Sequence, residues 1–469
     1  MDEIFEVEFE EVTIVEPVIE PLSITENGHY EAEGIIDGYS PIDVDVQPPL
    51  EELNATSNGE YLPSDNNYGF SKVTVDVPIP GQIEFKDVNF IDYDGTLLYS
   101  YTANEFLALV EMPPNPEHDR LIAQGWNWTL EEAKEVVTEC GECLIGQEYD
   151  TKSGATEIDI ELFEGRLSPY LGICLDGTAT IDWGDGYTET AVGSNLNSPL
   201  TNLTHTYGRA GKYTIKISGG TFTIKGDSGT SYLLVYIQNG TILPRVYAPC
   251  VISIYMGMNA QLNGYATSNL FNLKSIVLCR SSTCFRNNVS SIFYTASALS
   301  ALVIPREYTV VRTSYTIEGA SGIQMVSYGY DFGFNTYVNT SFFSGRIIRH
   351  ISPLRASIIP TGTFQQNGGL RTVKLIGTTR IYSSAFDSCC MLDLTLPNTL
   401  TTLENYSLVS MTSLGQLKFT SITPPAALGS QTFSGLRTDC KIYVPRGSLE
   451  AYTTATNYPS SATYQYIEY

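Results

Sequence analysis

The chain has 469 residues and a formal net charge of −26 at pH 7, from 52 acidic side chains and 26 Lys or Arg side chains. This balance argues against nucleic acid and anionic membranes as partners, because both are bound through Lys and Arg. Charged residues make up only 17%, whereas Tyr alone occupies 31 positions. The composition favours a turn-rich β protein of extracellular or virion type over a helical cytosolic enzyme, and the length predicts two to four domains.

Charge is unevenly distributed along the chain. Residues 1–80 carry about 19 acidic side chains and one Lys, whereas residues 270–469 carry about 15 basic and 9 acidic ones. The asymmetry predicts different partners or environments for the two ends, unless the acidic side chains simply solvate exposed strands.

The N-terminal segment, residues 1–20, alternates apolar and acidic positions, which predicts one or two strands with an acidic face. Met1-Asp2-Glu3 opens acidic, and no apolar run approaches the roughly 18 residues of a membrane span. We therefore expect a product of the cytoplasm with no signal peptide and no membrane insertion.

Residues 21–80 contain a tandem repeat. The stretch 22–46 matches 53–77 without a gap at an offset of 31, with Asn27-Gly28 over Asn58-Gly59 and Tyr30 over Tyr61. Each unit reads as a strand, an Asn-Gly turn, an aromatic, a loop and a second alternating strand. Two small β units in tandem are typical of a stalk rather than an active site.

Residues 81–152 are expected to form a small α+β unit. Helices are predicted over 102–109 and 129–137, because each stretch begins with a Thr in the N-cap position. Glu105 and Glu132 stand three residues later, where a capping box requires an acidic or amide side chain.

The same unit contains VNFIDYDGTLL, residues 88–98, which resembles the nucleophile motif of haloacid-dehalogenase-type phosphatases. The resemblance implies Asp92 as nucleophile, Asp94 as general acid, a magnesium ion, and a Lys such as Lys134 or Lys152 to balance phosphate charge. That family also needs strands alternating with crossover helices over more than a hundred residues, whereas only two helical patterns follow Asp92. A phosphatase therefore stays a remote alternative to a strand-ending turn.

The nine Cys and four His do not form a recognisable metal or disulfide pattern. Cys140-Gly141-Glu142-Cys143 is the only CxxC, and a structural zinc site would need a second such pair or two suitably spaced His. We expect ordinary reduced thiols there, with no metal site and no cofactor.

Residues 153–222 resemble PKD-type immunoglobulin-like sandwiches. TATIDWGDGYTET followed by LTHTYGRAGKYTIKISG matches the family pattern of WGDG, then HxY, then GxYxVxV. A phosphatase of the haloacid-dehalogenase type also needs a later acidic pair to hold magnesium, and Asp182 and Asp185 are the candidates. The PKD-type resemblance implies instead a β-sandwich in which Asp182, Asp185 and His205 are structural.

Residues 223–469 repeat with a period of 21 to 26, which indicates a solenoid. The predicted strand anchors begin at Leu273, Leu299, Ile323, Leu370, Met391 and Leu414, and residues near Ile347-Ile348 fill the gap in register. Apolar-Pro endings and aromatic steps such as Ala385-Phe386 resemble BspA-like leucine-rich repeats, and residues 441–452 resemble the closing unit of that family. We expect the preceding sandwich and this closing unit to cap the solenoid.

The expected fold class is therefore mainly β and multidomain: tandem β repeats, a small α+β unit, an immunoglobulin-like sandwich and a C-terminal leucine-rich-repeat solenoid. Together these parts resemble a bacteriophage virion appendage of tail-fibre or head-fibre type. Its implied role is non-enzymatic attachment, with the N-terminal region bound to other virion proteins and the solenoid bound to a host glycan or surface protein. The protein would be a homo-oligomer, and trimers are usual for phage fibres. A bacterial surface adhesin is the alternative, although it would need a signal and an anchor.

The candidate contact residues come from SYGYDFGFNTY, residues 327–337, where aromatic and small or polar residues alternate inside a poorly matching repeat. Aromatic faces stack on sugars, so this insertion predicts a binding loop. The alternative is that the rings pack the solenoid or a subunit interface. The five rings are those of Tyr328, Tyr330, Phe332, Phe334 and Tyr337.

Overall fold

A computed structural model describes residues 84–200, 202–238, 241–243, 246–281, 284–286, 291–306, 322–329, 343 and 348–469, and the backbone of four short strands before residue 80. The protein is mainly β, with 34% strand, 7% helix and a C-terminal β-solenoid of about 7 turns. It divides into two compact units, Met1–Gln82 and Ile83–Tyr469.

The N-terminal unit contains two antiparallel strand pairs. They are β1 (Gly28–Tyr30) with β2 (Ile42–Val44), and β3 (Gly59–Tyr61) with β4 (Val73–Val75). The second pair begins 31 residues after the first, from 28 to 59 and from 42 to 73, so the strands recur at the offset of the sequence repeat. Residues 1–20, and the acidic strands predicted there, lie outside the described residues.

The α+β unit, residues 84–151, consists of a four-stranded sheet and two helices. Its elements are β5 (Val88–Ile91), β6 (Leu97–Tyr101), α1 (Ala103–Leu107), β7 (Leu121–Trp126), α2 (Leu130–Cys140) and β8 (Cys143–Thr151), with strand order β6-β5-β8-β7. The predicted capping boxes are confirmed: Thr102 with Glu105 begins α1, and Thr129 with Glu132 begins α2.

Residues 153–224 form the strands that connect this unit to the solenoid. They are β9 (Thr156–Leu162), β10 (Ile173–Asp182), β11 (Thr188–Ser194), β12 (Gly211–Ser218) and β13 (Thr221–Ile224). Four short strands follow: β14 (Gly226–Asp227), β15 (Thr230–Ser231), β16 (Tyr236–Gln238) and β17 (Thr241–Leu243). They pair as two antiparallel ribbons, β14 with β15 and β16 with β17.

The solenoid strands are short and pair mostly in parallel. They are β18 (Val251–Tyr255), β19 (Ala260–Leu262), β20 (Ser275–Val277), β21 (Ala301–Val303), β22 (Met325–Ser327), β23 (His350–Ile351), β24 (Leu354–Arg355), β25 (Ile358–Ile359), β26 (Leu375–Ile376), β27 (Arg380–Ile381), β28 (Asp393–Leu396), β29 (Thr402–Leu403), β30 (Gln416–Phe419), β31 (Ala426–Ala427), β32 (Lys441–Val444) and β33 (Gln465–Glu468), with helix α3 (Leu449–Thr453) between the last two. All six predicted anchors, and Ile348 in the gap, are buried.

Left-handed backbone bends recur between the strands. They come in pairs four residues apart with φ from 54° to 65°, at Tyr265 and Asn269, Ser291 and Thr295, Ser384 and Ser388, and Tyr406 and Ser410. L-residues pay a steric cost in this conformation. Here it turns peptide N–H groups toward the next repeat, as in the bonds from Ser388 to the Val409 carbonyl (3.0 Å) and from Ser410 to the Ser434 carbonyl (2.7 Å).

Strand pairing joins the 153–224 segment to the solenoid at both edges. The sheet runs β19-β13-β10-β12-β9-β18-β20, so it begins and ends with solenoid strands. One buried core cluster accordingly runs from Ile158 to Tyr452. The boundary predicted at 222/223 therefore separates two sequence patterns but not two cores, because pairing at both edges buries the apolar side chains of both segments together.

Candidate binding surface

The outward side chains of the solenoid change character along its length. In each repeat the residue three positions after the anchor is the buried strand residue, as at Ile276, Leu302 and Leu417. The residues on either side of it, two and four positions after the anchor, point outward, because neighbouring residues of a strand point to opposite faces. In the first four repeats these residues are mostly small or apolar: Ser275, Val277, Ala301, Val303, Met325, Ser327, His350 and Ser352. From the fifth repeat onward they are mostly polar or charged: Thr372, Lys374, Asp393, Thr395, Gln416, Lys418, Lys441, Tyr443, Gln465 and Ile467.

The α+β unit covers the first of these two stretches. Oγ of Ser352 and Oγ of Ser327 donate to the Leu144 carbonyl at 2.6 and 3.1 Å, and both Ser side chains are completely buried. The backbone at Gly146 lies so close to the Val303 side chain that an added Cβ would lie 2.6 Å from Cγ1 of Val303. The small residues of the first repeats therefore accommodate a neighbouring sheet.

Ion pairs surround this contact. Among the described residues, cations of the solenoid meet carboxylates of the α+β unit in five pairs: Arg280 with Glu148 (3.1 Å), Arg280 with Asp150 (3.9 Å), Arg306 with Glu132 (2.5 Å), Arg355 with Glu135 (2.5 Å) and Lys374 with Glu142 (4.0 Å). Hydrogen bonds from Arg306 are the largest cause that lowers the pKa of Glu132 below its ordinary value. Glu148 is buried, whereas the carboxylates of the other pairs are partly exposed, so those other pairs each contribute little to stability and mainly fix orientation.

The DYDGT motif forms the turn between β5 and β6 and packs against the solenoid. Gly95, at φ 90°, has room for no side chain, since a Cβ would lie 2.6 Å from Cε of Met325. Oγ of Ser300 donates to the Asp94 carbonyl at 3.0 Å. The motif thus acts as a contact turn in this structure.

Asp92, the first residue of the motif, is buried, with 5% of its surface exposed. Oδ1 accepts bonds from the Tyr93 N–H and the Tyr149 hydroxyl, both at 2.8 Å, and Oδ2 lies 2.9 Å from Nε2 of His118. Burial raises the pKa of Asp92, and the Tyr149 bond, the Tyr93 bond and the His118 interaction oppose that rise. Both oxygens on which a phosphatase would rely are therefore already hydrogen-bonded.

Other residues of the phosphatase hypothesis also have structural contacts. Nζ of Lys134 donates to the Leu109 carbonyl. Oδ1 of Asp182 accepts the Gly184 N–H at 2.9 Å. Oδ2 of Asp185 lies 2.7 Å from Nε2 of His205. These contacts stabilise local turns and leave no cluster of three or more His, Cys, Asp or Glu suited to a metal among the described residues.

The two thiols of the CxxC pair stand at the junction of α2 and β8. They are free cysteines, and burial raises the pKa of Cys140 to about 11 and that of Cys143 well above its ordinary value. A thiolate is therefore disfavoured at both positions.

Tyr328 is the one described ring of the predicted aromatic binding loop, and it is a core residue. Its side chain is 1% exposed, and its hydroxyl donates to the Ser352 carbonyl at 2.6 Å. Its ring packs near Phe343 with a centroid separation of 6.0 Å. We therefore remove Tyr328 from the candidate contacts, because a buried ring cannot stack on a ligand. Tyr330, Phe332, Phe334 and Tyr337 lie outside the described residues.

Among the described residues, the outward side chains from Asp393 onward form no hydrogen bond or ion pair with the α+β unit, whereas Lys374 of the repeat before them still pairs with Glu142. Strands β28, β30, β32 and β33 form one parallel sheet in which Gln416, Lys441 and Gln465 are aligned in one row, and Lys418 and Tyr443 in the next. All five side chains are at least partly exposed. We call these five residues the polar face. Nζ of Lys418 lies 3.9 Å from the ring centroid of Tyr469, a cation–π contact that orients the ammonium group.

The polar face was missed by reasoning from the aromatic insertion, although the sequence carries a signal for it. The residue two positions after each anchor changes from Ser275 and Ala301 to Asp393 and Gln416. A covered strand face tolerates small residues, whereas a solvated one favours polar and charged residues. This change from small to polar residues along the repeats therefore indicates where the α+β unit stops covering the solenoid.

No family model and no curated protein matches this chain. Within the described ranges, no helix combines the length and the apolar character needed to cross a bilayer.

Proposed function

We propose that this chain is a non-enzymatic, fibre-like structural protein of a bacteriophage virion that attaches to the host surface through the polar face. The observation that carries the proposal is the division of the solenoid: its first repeats are covered by the α+β unit, and its last repeats present Gln416, Lys418, Lys441, Tyr443 and Gln465 to solvent.

The chemistry of the polar face suits an extended partner such as a surface glycan. Neighbouring strands are about 4.8 Å apart, so the face offers a regular series of donors and acceptors along several sugar units. The two amides and the Tyr443 hydroxyl both donate and accept hydrogen bonds, and the two ammonium groups donate. Residues 270–469 carry more basic than acidic side chains in an otherwise acidic chain, which favours approach of this end to a negatively charged cell surface.

The remaining regions would serve as spacer and mount. The sequence of residues 153–222 resembles the PKD-type pattern, and Trp183 of its WGDG turn is completely buried. Stacking of His205 between Tyr187 and Trp183 supports a structural role for these residues. The acidic N-terminal region, with its two tandem β units, would dock to other virion proteins, and the assembled protein would be a homo-oligomer.

The first test is binding of the full-length protein to cells of candidate hosts. We expect saturable binding by the unmodified protein and at least tenfold weaker binding by the Lys418→Gln/Lys441→Gln variant. Lys152→Gln, at an exposed turn outside the polar face, is the matched control and should bind normally. Equal binding by all three proteins would refute the polar face as the attachment surface.

A second test separates a virion protein from the alternative, a bacterial surface adhesin. Antibody against the full-length chain should label purified phage particles and leave the envelopes of uninfected cells unlabelled. Labelling of the envelopes alone would favour the adhesin.

A further inference from the structure

A crevice of about 620 Å³ opens where the α+β unit leaves the solenoid. Its wall on the α+β side includes Phe85, Asp87 and Glu142, and its wall on the solenoid side includes Arg349, His350 and Arg371. The volume lies within the range of small-molecule sites, which is about 300–1,000 Å³. The crevice is separate from the polar face, whose residues do not line it.

Two guanidinium groups in this crevice have no partner in the part of the chain that the structure describes. Arg349 and Arg371 are exposed and form no side-chain hydrogen bond or ion pair with described residues. Other basic residues beside the α+β unit behave differently, since Arg280, Arg306 and Arg355 each meet a carboxylate. The two arginines are therefore available to an oxyanion from outside the described structure.

The acidic residues of the crevice are already engaged. Oδ2 of Asp87 accepts the Ala103 N–H at 2.8 Å, and Oε2 of Glu142 lies 4.0 Å from Nζ of Lys374. Burial raises the pKa of Glu142 against the opposing effect of Lys374. The carboxylates thus compete only weakly for Arg349 and Arg371.

One wall of the crevice is aromatic. The rings of Phe85 and His350 stack with a centroid separation of 4.6 Å and an interplanar angle of 27°. Enclosure in the crevice, and then the neighbouring Arg349 cation, lower the pKa of His350. A neutral imidazole at pH 7 keeps this wall a flat, weakly polar surface, beside the Thr372 hydroxyl and the backbone of Gly368 and Gly369.

We propose that this crevice binds a sugar that carries an oxyanion, either a carboxylate or a phosphate. A guanidinium fork pairs with either group through two parallel hydrogen bonds. The aromatic wall and the neighbouring hydroxyl suit the apolar and polar edges of a pyranose ring. Two cations without a partner among the described residues, beside Asp87 and Glu142, match one oxyanion better than a polyphosphate, and the chain charge of −26 opposes a polyanion such as nucleic acid. This inference rests on the proposed function in that both concern a surface saccharide.

The test is calorimetric titration of the full-length protein with three probes: a galacturonic acid trisaccharide, mannose 6-phosphate and neutral maltotriose. We expect at least one charged probe to bind at least tenfold more tightly than maltotriose, and the tighter of the two identifies the oxyanion. Arg349→Gln/Arg371→Gln should weaken that binding at least tenfold, since two charge-assisted contacts are lost. Because both side chains are exposed, thermal unfolding of this variant should match that of the unmodified protein.

The control is Lys418→Gln/Lys441→Gln, which should bind the charged probe normally because it alters only the polar face. Equal affinity for charged and neutral probes, or full affinity in the arginine variant, would overturn the crevice proposal. The attachment proposal is tested separately by cell binding of the lysine variant, so the two can fail independently.

Discussion

Nε1 of Trp128 donates a 2.6 Å hydrogen bond to the backbone carbonyl of Tyr328, 200 residues further along the chain. Trp128 is 2% exposed and Tyr328 is 1% exposed, so the bond closes a dry contact between the α+β unit and the solenoid. The outward face of the first repeats is consequently an internal surface of the protein.

Trp128→Phe should weaken this contact specifically. It leaves the Tyr328 carbonyl without its indole donor in a buried site, which costs about 1–3 kcal/mol. Hydrogen exchange should accelerate at the backbone amide of Ser352. This amide donates to the Val326 carbonyl within the solenoid, and the Ser352 side chain contacts the α+β unit. The control is Trp126→Phe, because Nε1 of Trp126 donates within the α+β unit, to Pro113. Identical exchange patterns in the two variants would contradict this account.

Gly146→Ala should destabilise the protein by overpacking, at about 1–3 kcal/mol, because its Cβ meets Val303. Chemical denaturation of the full chain measures the loss. The matched control is Gly208→Ala, which meets no atom within 4 Å and should be close to neutral. Adding Val303→Ala to Gly146→Ala should recover part of the lost free energy of unfolding, and strict additivity of the two changes would rule out the clash.

The stability of the protein should depend on pH through Asp92. Because its pKa is raised in the folded state above the ordinary value of 3.8, the folded chain binds this proton more tightly than the unfolded chain. The contribution to stability is present below pH 3.8 and is lost as pH rises through the folded pKa. Asp92→Asn removes the titration, so its melting temperature relative to the unmodified protein should rise between pH 3.5 and pH 7.

The groups around Asp92 that also titrate or carry charge are His118, Tyr149, Tyr93 and Asp94. Asp94→Asn therefore serves as the control, because it removes a nearby charge while Asp92 still titrates. A difference in melting temperature for Asp92→Asn that stays constant over this pH range would disprove the assignment.

Phe364→Ala should be among the most destabilising single changes in the solenoid. Its ring stacks between Phe343 and Phe386, with centroid separations of 5.2 Å on both sides. Loss of a fully buried Phe costs about 3–5 kcal/mol. Phe271→Ala is the comparison, since its side chain is 43% exposed. Similar unfolding midpoints for the two variants would show that the stack contributes little.

Local signals in the sequence predicted local structure well. Thr129 and Glu132 placed the start of α2 correctly, because a capping box depends only on residues three positions apart. The anchors of the solenoid were equally readable, since a repeat displays the same apolar positions many times. Phe386, predicted as an aromatic step, lies in the buried stack of rings.

Contacts between distant segments were not readable. Tyr328 looked like a ligand-binding ring because its neighbours alternate between aromatic and small or polar residues, and nothing near it in sequence indicates that Trp128 bonds to its backbone carbonyl. DYDGT looked catalytic because its neighbours in sequence likewise give no sign of the contacts that it makes in the fold. Its chemistry is local, whereas its packing against Met325 depends on residues more than 200 positions away.

The division of the solenoid into covered first repeats and uncovered last repeats also determines how its length could vary during evolution. Inserting or deleting a whole repeat between residues 380 and 440 would change the reach and the area of the polar face while leaving the covered half untouched. The same change between residues 275 and 355 would move Arg306 and Arg355 away from Glu132 and Glu135. We therefore expect natural length variants, and tolerated engineered ones, to differ in the last repeats and to keep the first four in fixed number.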